Sequence, residues 1–206
     1  MRIEPLGDSA YILSDLPLPA YEVADWLNTN PTEGMIEAVA SYETVGIYTD
    51  GRELIVPPLE MAPSGDPKLH VIPTCYELGE DTDQVCSTLR LTADELIKAH
   101  GDQSYRCYAI GFCPGFPYLG YLPASLQGIP RRPNPRIRVE PGSVAITGNQ
   151  TAIYPLPGPG GWALIGRTPL CLVDVEERYF PIAAGDKVRF VAIGKEEYER
   201  RLGERL

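Results

Sequence analysis

The chain has 206 residues, a net charge of −10 and 44% hydrophobic residues, which suits one large or two small globular domains and disfavours intrinsic disorder. Its 21 prolines and 20 glycines favour turns, loops and short strands over long helices. Residues 1–100 hold 18 acids and 5 bases, whereas residues 101–206 hold 10 acids and 13 bases. The acidic balance argues against binding to nucleic acid, and an anionic ligand is expected only at a local site in the second half.

Cysteine and histidine usage bears on metal and redox chemistry. The five cysteines form no C-x-x-C pair and only two histidines are present, so neither a disulfide framework nor a metal site is expected. The first ten residues carry an acid and lack an apolar core, unlike a signal peptide. The longest uncharged run, 141–166, contains four prolines and six glycines and cannot form a membrane helix. These features predict a cytoplasmic protein without a membrane partner.

The first sixty residues predict a small α/β domain. Its elements are strands at 2–5, 10–13, 36–39 and 45–48, with a helix that begins at Pro19. The order β-β-α-β-β resembles part of a split βαβ arrangement. Four prolines between 57 and 67 predict a linker, so the first domain is placed at 1–60 and the second at 61–206.

The second domain is predicted to contain a barrel or sandwich of short strands. A strand at 69–76 and helices at 81–89 and 93–100 come first, and Thr92 and Glu95 form a capping box for the second helix. Seven strands then follow at 105–112, 137–139, 143–147, 151–154, 162–166, 170–173 and 187–193, before a terminal helix at 195–202. The predicted fold class is therefore α+β.

An aromatic loop and a group of arginines are the unusual features of this domain. The loop 111–120 sets Phe112, Phe116 and Tyr118 among glycines and prolines, so it either plugs the barrel, walls a pocket or packs on itself. Six arginines and a single acid lie between residues 103 and 173, and four of these arginines fall within 131–138. They need either a ligand or carboxylate partners from elsewhere in the fold, which the acidic first domain could supply.

Local patterns make three further predictions. Alternation over 136–139 places Arg136 and Arg138 on one strand face and Ile137 and Val139 on the core side. The sequence from Gly148 to 151 is either a hairpin turn or a polar rim. The loop 157–162 is glycine-rich but lacks the Lys-Ser/Thr of a Walker phosphate loop, although its backbone amides could still approach an anion.

Four segments taken together resemble the KipI family, also called the allophanate hydrolase subunit one family. The segments are 111–119, 130–136, 141–155 and 159–170. The resemblance extends strongly over 69–191 and loosely over 1–50. The family includes the B component of the bacterial ATP-dependent 5-oxoprolinase, a half of the carboxyltransferase region of urea carboxylase, and a member that inhibits a sensor histidine kinase.

The resemblance implies an α/β domain joined to a cyclophilin-like β-barrel, and a heteromeric enzyme completed by a larger homologous C component and a third, A component. The implied reaction is ATP-dependent hydrolysis of the lactam 5-oxoproline to glutamate, with Mg²⁺ accompanying the ATP. Phosphorylation of the amide oxygen opens the ring carbon to water, and this chemistry needs an anchor for the substrate carboxylate and cations for phosphate. The alternatives are a histidine-kinase inhibitor and half of a urea or amide carboxyltransferase.

Candidate site residues follow from these needs. His100 ends a helix, where it either complements the helix dipole or transfers protons. The predicted catalytic residues are His100 and Arg136. The predicted substrate-binding residues are Arg132, Gln150, Tyr154, Arg167, Phe116 and Tyr118, and the predicted cofactor-binding residues are Gly160 and Gly161.

Overall fold

The computed structural model describes residues 1–56 and 67–206. The chain divides into two compact units, Met1–Pro67 and Lys68–Leu206. The boundary predicted at 60/61, and nearly all of the linker predicted at 57–67, lie outside the described residues.

The first unit is a four-stranded antiparallel sheet with one helix. Its elements are β1 (Arg2–Pro5), β2 (Ala10–Ser14), α1 (Ala20–Thr29), β3 (Met35–Ser41) and β4 (Thr44–Thr49), with strand order β1-β2-β4-β3. The helix buries Val23 and Leu27, four positions apart on one face. The Asn28 carboxamide bonds both the N–H and the C=O of Ala38, each at 2.8 Å, which ties α1 to β3. The predicted element order is confirmed.

The second unit contains nine strands and three helices within the described residues. They are β5 (Leu69–Thr74), α2 (Thr82–Leu89), α3 (Ala93–Gly101), β6 (Tyr105–Ile110), β7 (Pro117–Gly120), β8 (Arg136–Val139), β9 (Ser143–Thr147), β10 (Gln150–Ile153), β11 (Gly158–Gly160), β12 (Ala163–Arg167), β13 (Lys187–Ala192) and α4 (Lys195–Arg200). The predicted capping box of α3 is present, because Thr92 and Glu95 each bond the other's backbone N–H.

The main sheet of this unit runs β5-β13-β6-β7-β10-β9-β12, and β8 and β11 form a separate pair. Only β5 and β13 are parallel; the remaining pairs are antiparallel. Among the described residues the ladders do not close into a ring, and one isolated bridge between Cys75 and Arg167 links the two ends. The unit is thus a mixed α/β fold with a large, mostly antiparallel sheet, and the predicted closed barrel is not seen.

Three local predictions change. The strands β7 and β11 were not predicted, because proline and glycine at their positions are typical of loops. The segment 170–173 forms only an isolated bridge at Cys171, although Leu170 and Leu172 are buried. The predicted core position of Ile137 is wrong, since this side chain is 93% exposed and only Val139 of the strand is buried.

Candidate functional site

An aromatic cleft of about 280 Å³ opens on the second unit. Its wall is formed by five aromatic side chains, two arginines and two glycines: Phe112, Phe116, Tyr118, Tyr154, Trp162, Arg131, Arg132, Gly160 and Gly161. Six of these were predicted as site residues from the sequence. We call this site the aromatic cleft.

Phe116 is the centre of the ring packing in the aromatic cleft. Its ring meets those of Tyr118, Tyr154 and Trp162 edge to face, at centroid distances of 5.0, 5.1 and 5.9 Å. Such pairs stabilise by roughly 0.5–1.5 kcal/mol each beyond simple burial. Phe116 is buried, whereas Phe112 at the rim is 61% exposed. The loop 111–120 therefore packs on itself and also walls a pocket.

Arg131 supplies positive charge to the aromatic cleft. Its guanidinium carbon lies 5.9 Å from the Trp162 ring centroid, within cation–π range. Among the described residues Arg131 forms no ion pair. A guanidinium placed against aromatic rings without a carboxylate is a ready partner for an anionic ligand.

Arg132 and Arg136 share a buried carboxylate. Asp81 Oδ1 accepts hydrogen bonds from Arg132 Nη1 at 3.0 Å and Arg136 Nη2 at 2.8 Å, and Asp81 Oδ2 accepts one from the Leu164 N–H at 2.7 Å. Arg136 Nε also donates to Glu80 at 3.2 Å. The carboxylate partners of this pair thus come from elsewhere in the fold, as predicted, and they belong to the second unit and not to the first domain.

Arg136, a predicted catalytic residue, lies outside the aromatic cleft. Its side chain is mostly buried, and the hydrogen bond to Asp81 raises the pKa of the guanidinium. Arg136 Nη1 is buried and has no partner among the described residues. Arg136 shares Asp81 with Arg132, which does line the aromatic cleft.

Gly160 has a packing role. A Cβ at this position would lie 2.5 Å from the Tyr154 hydroxyl oxygen and 2.7 Å from a Val139 methyl carbon. The space that a phosphate oxygen would need above Gly160 is therefore filled by Tyr154. A Cβ at Gly161 would make only ordinary van der Waals contact, with its nearest neighbours at 3.7 Å.

His100 lies in the core and not in the aromatic cleft. Its Nδ1 is 2.7 Å from the Tyr76 hydroxyl and its Nε2 is 2.9 Å from Thr151 Oγ1. Because Thr151 donates its own proton to the Ala145 carbonyl, Nε2 carries the hydrogen and Nδ1 accepts from Tyr76. Burial lowers the pKa of His100 to about 3, so it is a neutral structural residue at ordinary pH.

Gln150 and Arg167 lie outside the aromatic cleft. Gln150 begins β10 opposite Gly120, beside a hairpin turn at Gly148 that has the positive φ of 55° expected for it. Arg167 Nε donates to the Pro141 carbonyl at 3.0 Å, and its side chain lines a different groove near α4. The structure therefore does not bring these two predicted substrate-binding residues to the cleft.

Four site residues were not selected by sequence reasoning: Phe112, Arg131, Trp162 and Asp81. A tryptophan that follows a glycine-rich loop is costly unless it packs or binds a ligand, which is a usable signal for Trp162. Asp81 precedes a helix and so resembles an ordinary cap. Its partners are 51 and 55 residues away, and no local pattern could reveal them.

The described part of the chain offers neither a metal cluster nor a membrane-spanning helix. No group of three or more His, Cys, Asp and Glu side chains in 1–56 and 67–206 could hold a metal ion. Within the same ranges no helix is long and apolar enough to cross a bilayer.

Comparison with known proteins gives the class of this domain. A family model described as the carboxyltransferase domain, subdomain C and D, matches residues 1–182, and the chain belongs to that family. It is 32% identical to the B subunit of 5-oxoprolinase from Bacillus subtilis (strain 168), over 96% of this chain and 95% of that protein. It is 36% identical to the B subunit of 5-oxoprolinase from Haemophilus influenzae, over 95% of this chain and 100% of that protein.

Solved structures show the same fold. The protein TTHA0988 matches with a TM-score of 0.78 and 35% identity, over 89% of this chain. This chain spans only 40% of TTHA0988. The urea carboxylase of Kluyveromyces lactis matches with a TM-score of 0.71 over 96% of this chain and 22% of its own, but at 16% identity it is informative about the fold alone.

Proposed function

We propose that this chain is the B component of an ATP-dependent 5-oxoprolinase, and that it binds 5-oxoproline in the aromatic cleft. The observation that carries the proposal is Arg131, which stacks on Trp162 in a ring-lined cleft and forms no ion pair among the described residues. The names of the two relatives that match along nearly their whole length support the substrate class.

The substrate's chemistry fits the lining of the cleft. 5-Oxoproline is a flat five-membered lactam that bears one carboxylate, so it needs an apolar slot, a cation and a donor for the lactam oxygen. Trp162 and Tyr118 offer the slot, and Arg131 and Arg132 offer the cations. Burial raises the pKa of the Tyr118 hydroxyl, which therefore stays protonated and can donate to the lactam oxygen.

ATP with Mg²⁺ is the proposed co-substrate. When bound, it supplies the phosphoryl group that makes the lactam carbon open to attack by water. The residues that suit its phosphates are the arginines and not Gly160, whose open side is filled by Tyr154. The chain's own contribution is to orient the lactam and to neutralise developing negative charge.

The proposal includes a complex. The larger homologous C component and a third, A component are the proposed partners, and activity is assigned to the assembly. For the second unit we propose a cyclophilin-like barrel in which the bridge between Cys75 and Arg167 joins the two end strands.

Tryptophan fluorescence can test binding directly. The chain has two tryptophans, and a Trp26→Phe background leaves Trp162 as the reporter of the cleft. Titration with 5-oxoproline should then change the emission of Trp162. In the same background, Arg131→Ala should weaken binding by about tenfold or more, since an Arg–carboxylate contact is lost.

Arg138→Ala is the matched control, because Arg138 is an exposed arginine of β8 that pairs with Glu140 and does not line the cleft. It should leave the affinity unchanged. A Trp162 signal that does not respond to 5-oxoproline, either in this chain or in its complex with the partner proteins, would contradict the proposal. Equal affinities of the Arg131→Ala and Arg138→Ala variants would remove Arg131 from the site.

A kinase inhibitor is the second candidate, supported by the exposure of Phe112 and Ile137, 61% and 93%. Arg136 is a poor probe of this alternative, because its charge reversal would break the buried pair with Asp81. Arg131→Glu is the better probe. It should abolish lactam binding, whereas an inhibitor that acts through Phe112 and Ile137 would keep its effect on a histidine kinase. Dependence on a biotinylated carrier would instead indicate an amide carboxyltransferase.

A further inference from the structure

A second cleft, of about 290 Å³, adjoins the aromatic cleft and shares two residues with it. Arg131 and Arg132 line both clefts. The rest of the second cleft includes Gln84 and Val85 from α2 and Asn134 from the loop before β8. No aromatic ring contributes to this lining, so the second cleft does not repeat the ring-binding character of the first.

The charge around the second cleft is positive. Among the described residues that line it, Asp81 is the one acid, and its carboxylate already accepts hydrogen bonds from Arg132, Arg136 and the backbone of Leu164. Asp81 and Glu80, which also pairs with Arg136, offset the charges of Arg132 and Arg136. The excess positive charge is therefore that of Arg131, which has no ion-pair partner among the described residues. Such an excess of guanidinium charge in a partly closed site favours an anion.

The second cleft also contains neutral hydrogen-bond donors. The carboxamides of Gln84 and Asn134 form no hydrogen bond with the described residues, and both line the cleft. Gln84 belongs to the first turn of α2, where the acidic side chain of Asp83 offsets the attraction of the helix dipole for negative charge. Carboxamide donors from a helix and a loop suit a tetrahedral oxyanion, which accepts hydrogen bonds from several directions.

We propose that the second cleft binds a phosphoryl group, and that Arg131 and Arg132 stand between this group and the ligand of the aromatic cleft. The inference rests on the proposed function, because it puts a phosphoryl anion next to the lactam. Its two possible sources are inorganic phosphate and the terminal phosphate of a nucleotide.

The test uses the side-chain amide signals of Gln84 and Asn134 in nuclear magnetic resonance spectra of the full chain. Sodium phosphate, and separately ATP with Mg²⁺, should shift these signals in a saturable way, whereas sodium chloride at equal ionic strength should not. Tighter saturation by ATP identifies a nucleotide as the source, and equal or weaker saturation identifies free phosphate. Either result supports a phosphoryl site.

Matched variants separate the two clefts. Gln84→Ala and Asn134→Ala should weaken phosphate binding several-fold and leave the response of Trp162 to 5-oxoproline intact. Tyr118→Ala should weaken the binding of 5-oxoproline and leave phosphate binding intact. Arg131→Ala should weaken both ligands by about tenfold, and Arg138→Ala should weaken neither.

The proposal is overturned if the amide signals of Gln84 and Asn134 do not shift, or if phosphate binding is unaffected by Gln84→Ala and Asn134→Ala. A chain that binds 5-oxoproline at Trp162 but fails this test loses only the second site. A chain that binds phosphate at Gln84 but not 5-oxoproline loses the proposed function and keeps the anion site.

Discussion

Two polar side chains of the second unit lie against aromatic rings in different settings. His100 is buried beneath the rings around it, whereas Arg131 lies at an open cleft. The His100 ring lies 4.4 Å from that of Phe190 and 5.3 Å from that of Tyr105, and both of its nitrogens are hydrogen-bonded. Arg131 contacts Trp162 from one side and has no ion pair among the described residues. Both clusters are aromatic, but only the cluster around Arg131 contains a charged group that can bind a ligand.

The role of a polar side chain depends both on how deeply it is buried and on whether its hydrogen-bonding groups are already satisfied. A polar side chain whose donors and acceptors are all satisfied inside the core acts on stability and specificity. A cation that packs against aromatic rings at the mouth of a cleft stays largely hydrated, so it is kept at little cost in free energy. It is also free to form an ion pair with an incoming anion. The next four experiments should separate these two roles.

The largest effect is expected from His100→Ala. The substitution leaves a cavity and strips the Tyr76 and Thr151 hydroxyls of a partner, so the free energy of unfolding should fall by about 3 kcal/mol or more. Urea denaturation measures this. Should the variant fail to fold, Thr151→Val should still lower stability by about 1 kcal/mol. If both variants lose less than about 1 kcal/mol, the hydrogen bonds of His100 with Tyr76 and Thr151 do not stabilise the fold.

The second effect is on pH dependence. Burial lowers the pKa of His100 in the folded protein to about 3, whereas a histidine in the unfolded chain titrates near 6.5. Between these two pH values the unfolded state therefore binds one more proton than the folded state. The stabilisation by neutral His100 is complete above pH 6.5 and declines as the pH falls toward 3. Between pH 6.5 and 5 the loss should be roughly 2 kcal/mol.

Urea denaturation of His100→Gln and His70→Gln at both pH values isolates this effect. The first variant should lose this part of the pH dependence, and the second, which alters the other histidine of the chain, should keep it. Identical pH profiles for His100→Gln and the unsubstituted protein would show that His100 is not the titrating group.

The third effect concerns the wall of the aromatic cleft. Gly160→Ala places a methyl group against Tyr154 and Val139 and should destabilise the second unit by at least about 1 kcal/mol. Gly161→Ala meets nothing nearer than 3.7 Å and should change stability by less than about 0.5 kcal/mol. Thermal unfolding of both variants compares them. Equal losses would mean that the contact with Tyr154 does not matter.

The smallest effect on stability is expected from Arg131→Ala. Because this side chain forms no ion pair within the described residues, its removal should change the free energy of unfolding by less than about 0.5 kcal/mol, while ligand affinity falls about tenfold. Unfolding and Trp162 titration on the same preparation measure both. A loss of stability as large as that of His100→Ala would make Arg131 a structural residue as well.

Much of the fold could be predicted from local patterns. The capping box of Thr92 and Glu95, the Gly148 turn and the element order of the first unit each depend on neighbours in sequence, and each was found. The strand β7 was missed because its composition is that of a loop. Its pairing with β6 and β10 decides its conformation, and pairing of this kind leaves little trace in four residues.

The site was predicted in part, for a similar reason. Phe116, Tyr118 and Tyr154 could be predicted, since aromatic residues among glycines and prolines rarely stand alone. The structure puts His100 and Arg136 outside the aromatic cleft, and the sequence could not show this because their partners Thr151 and Asp81 are more than fifty residues away. Titratable side chains are therefore assigned less securely from sequence than ring clusters are.

The parallel pairing of β5 with β13 also affects how the second unit folds. Leu69 lies opposite Lys187, and the hydrogen bond of the Lys68 N–H to Asp186 spans 118 residues of chain. Closing so long a loop is entropically costly, and folds dominated by such contacts form slowly. During synthesis on the ribosome β5 has no partner strand until β13 emerges, so Ile72, which is fully buried in the folded unit, stays exposed throughout that interval.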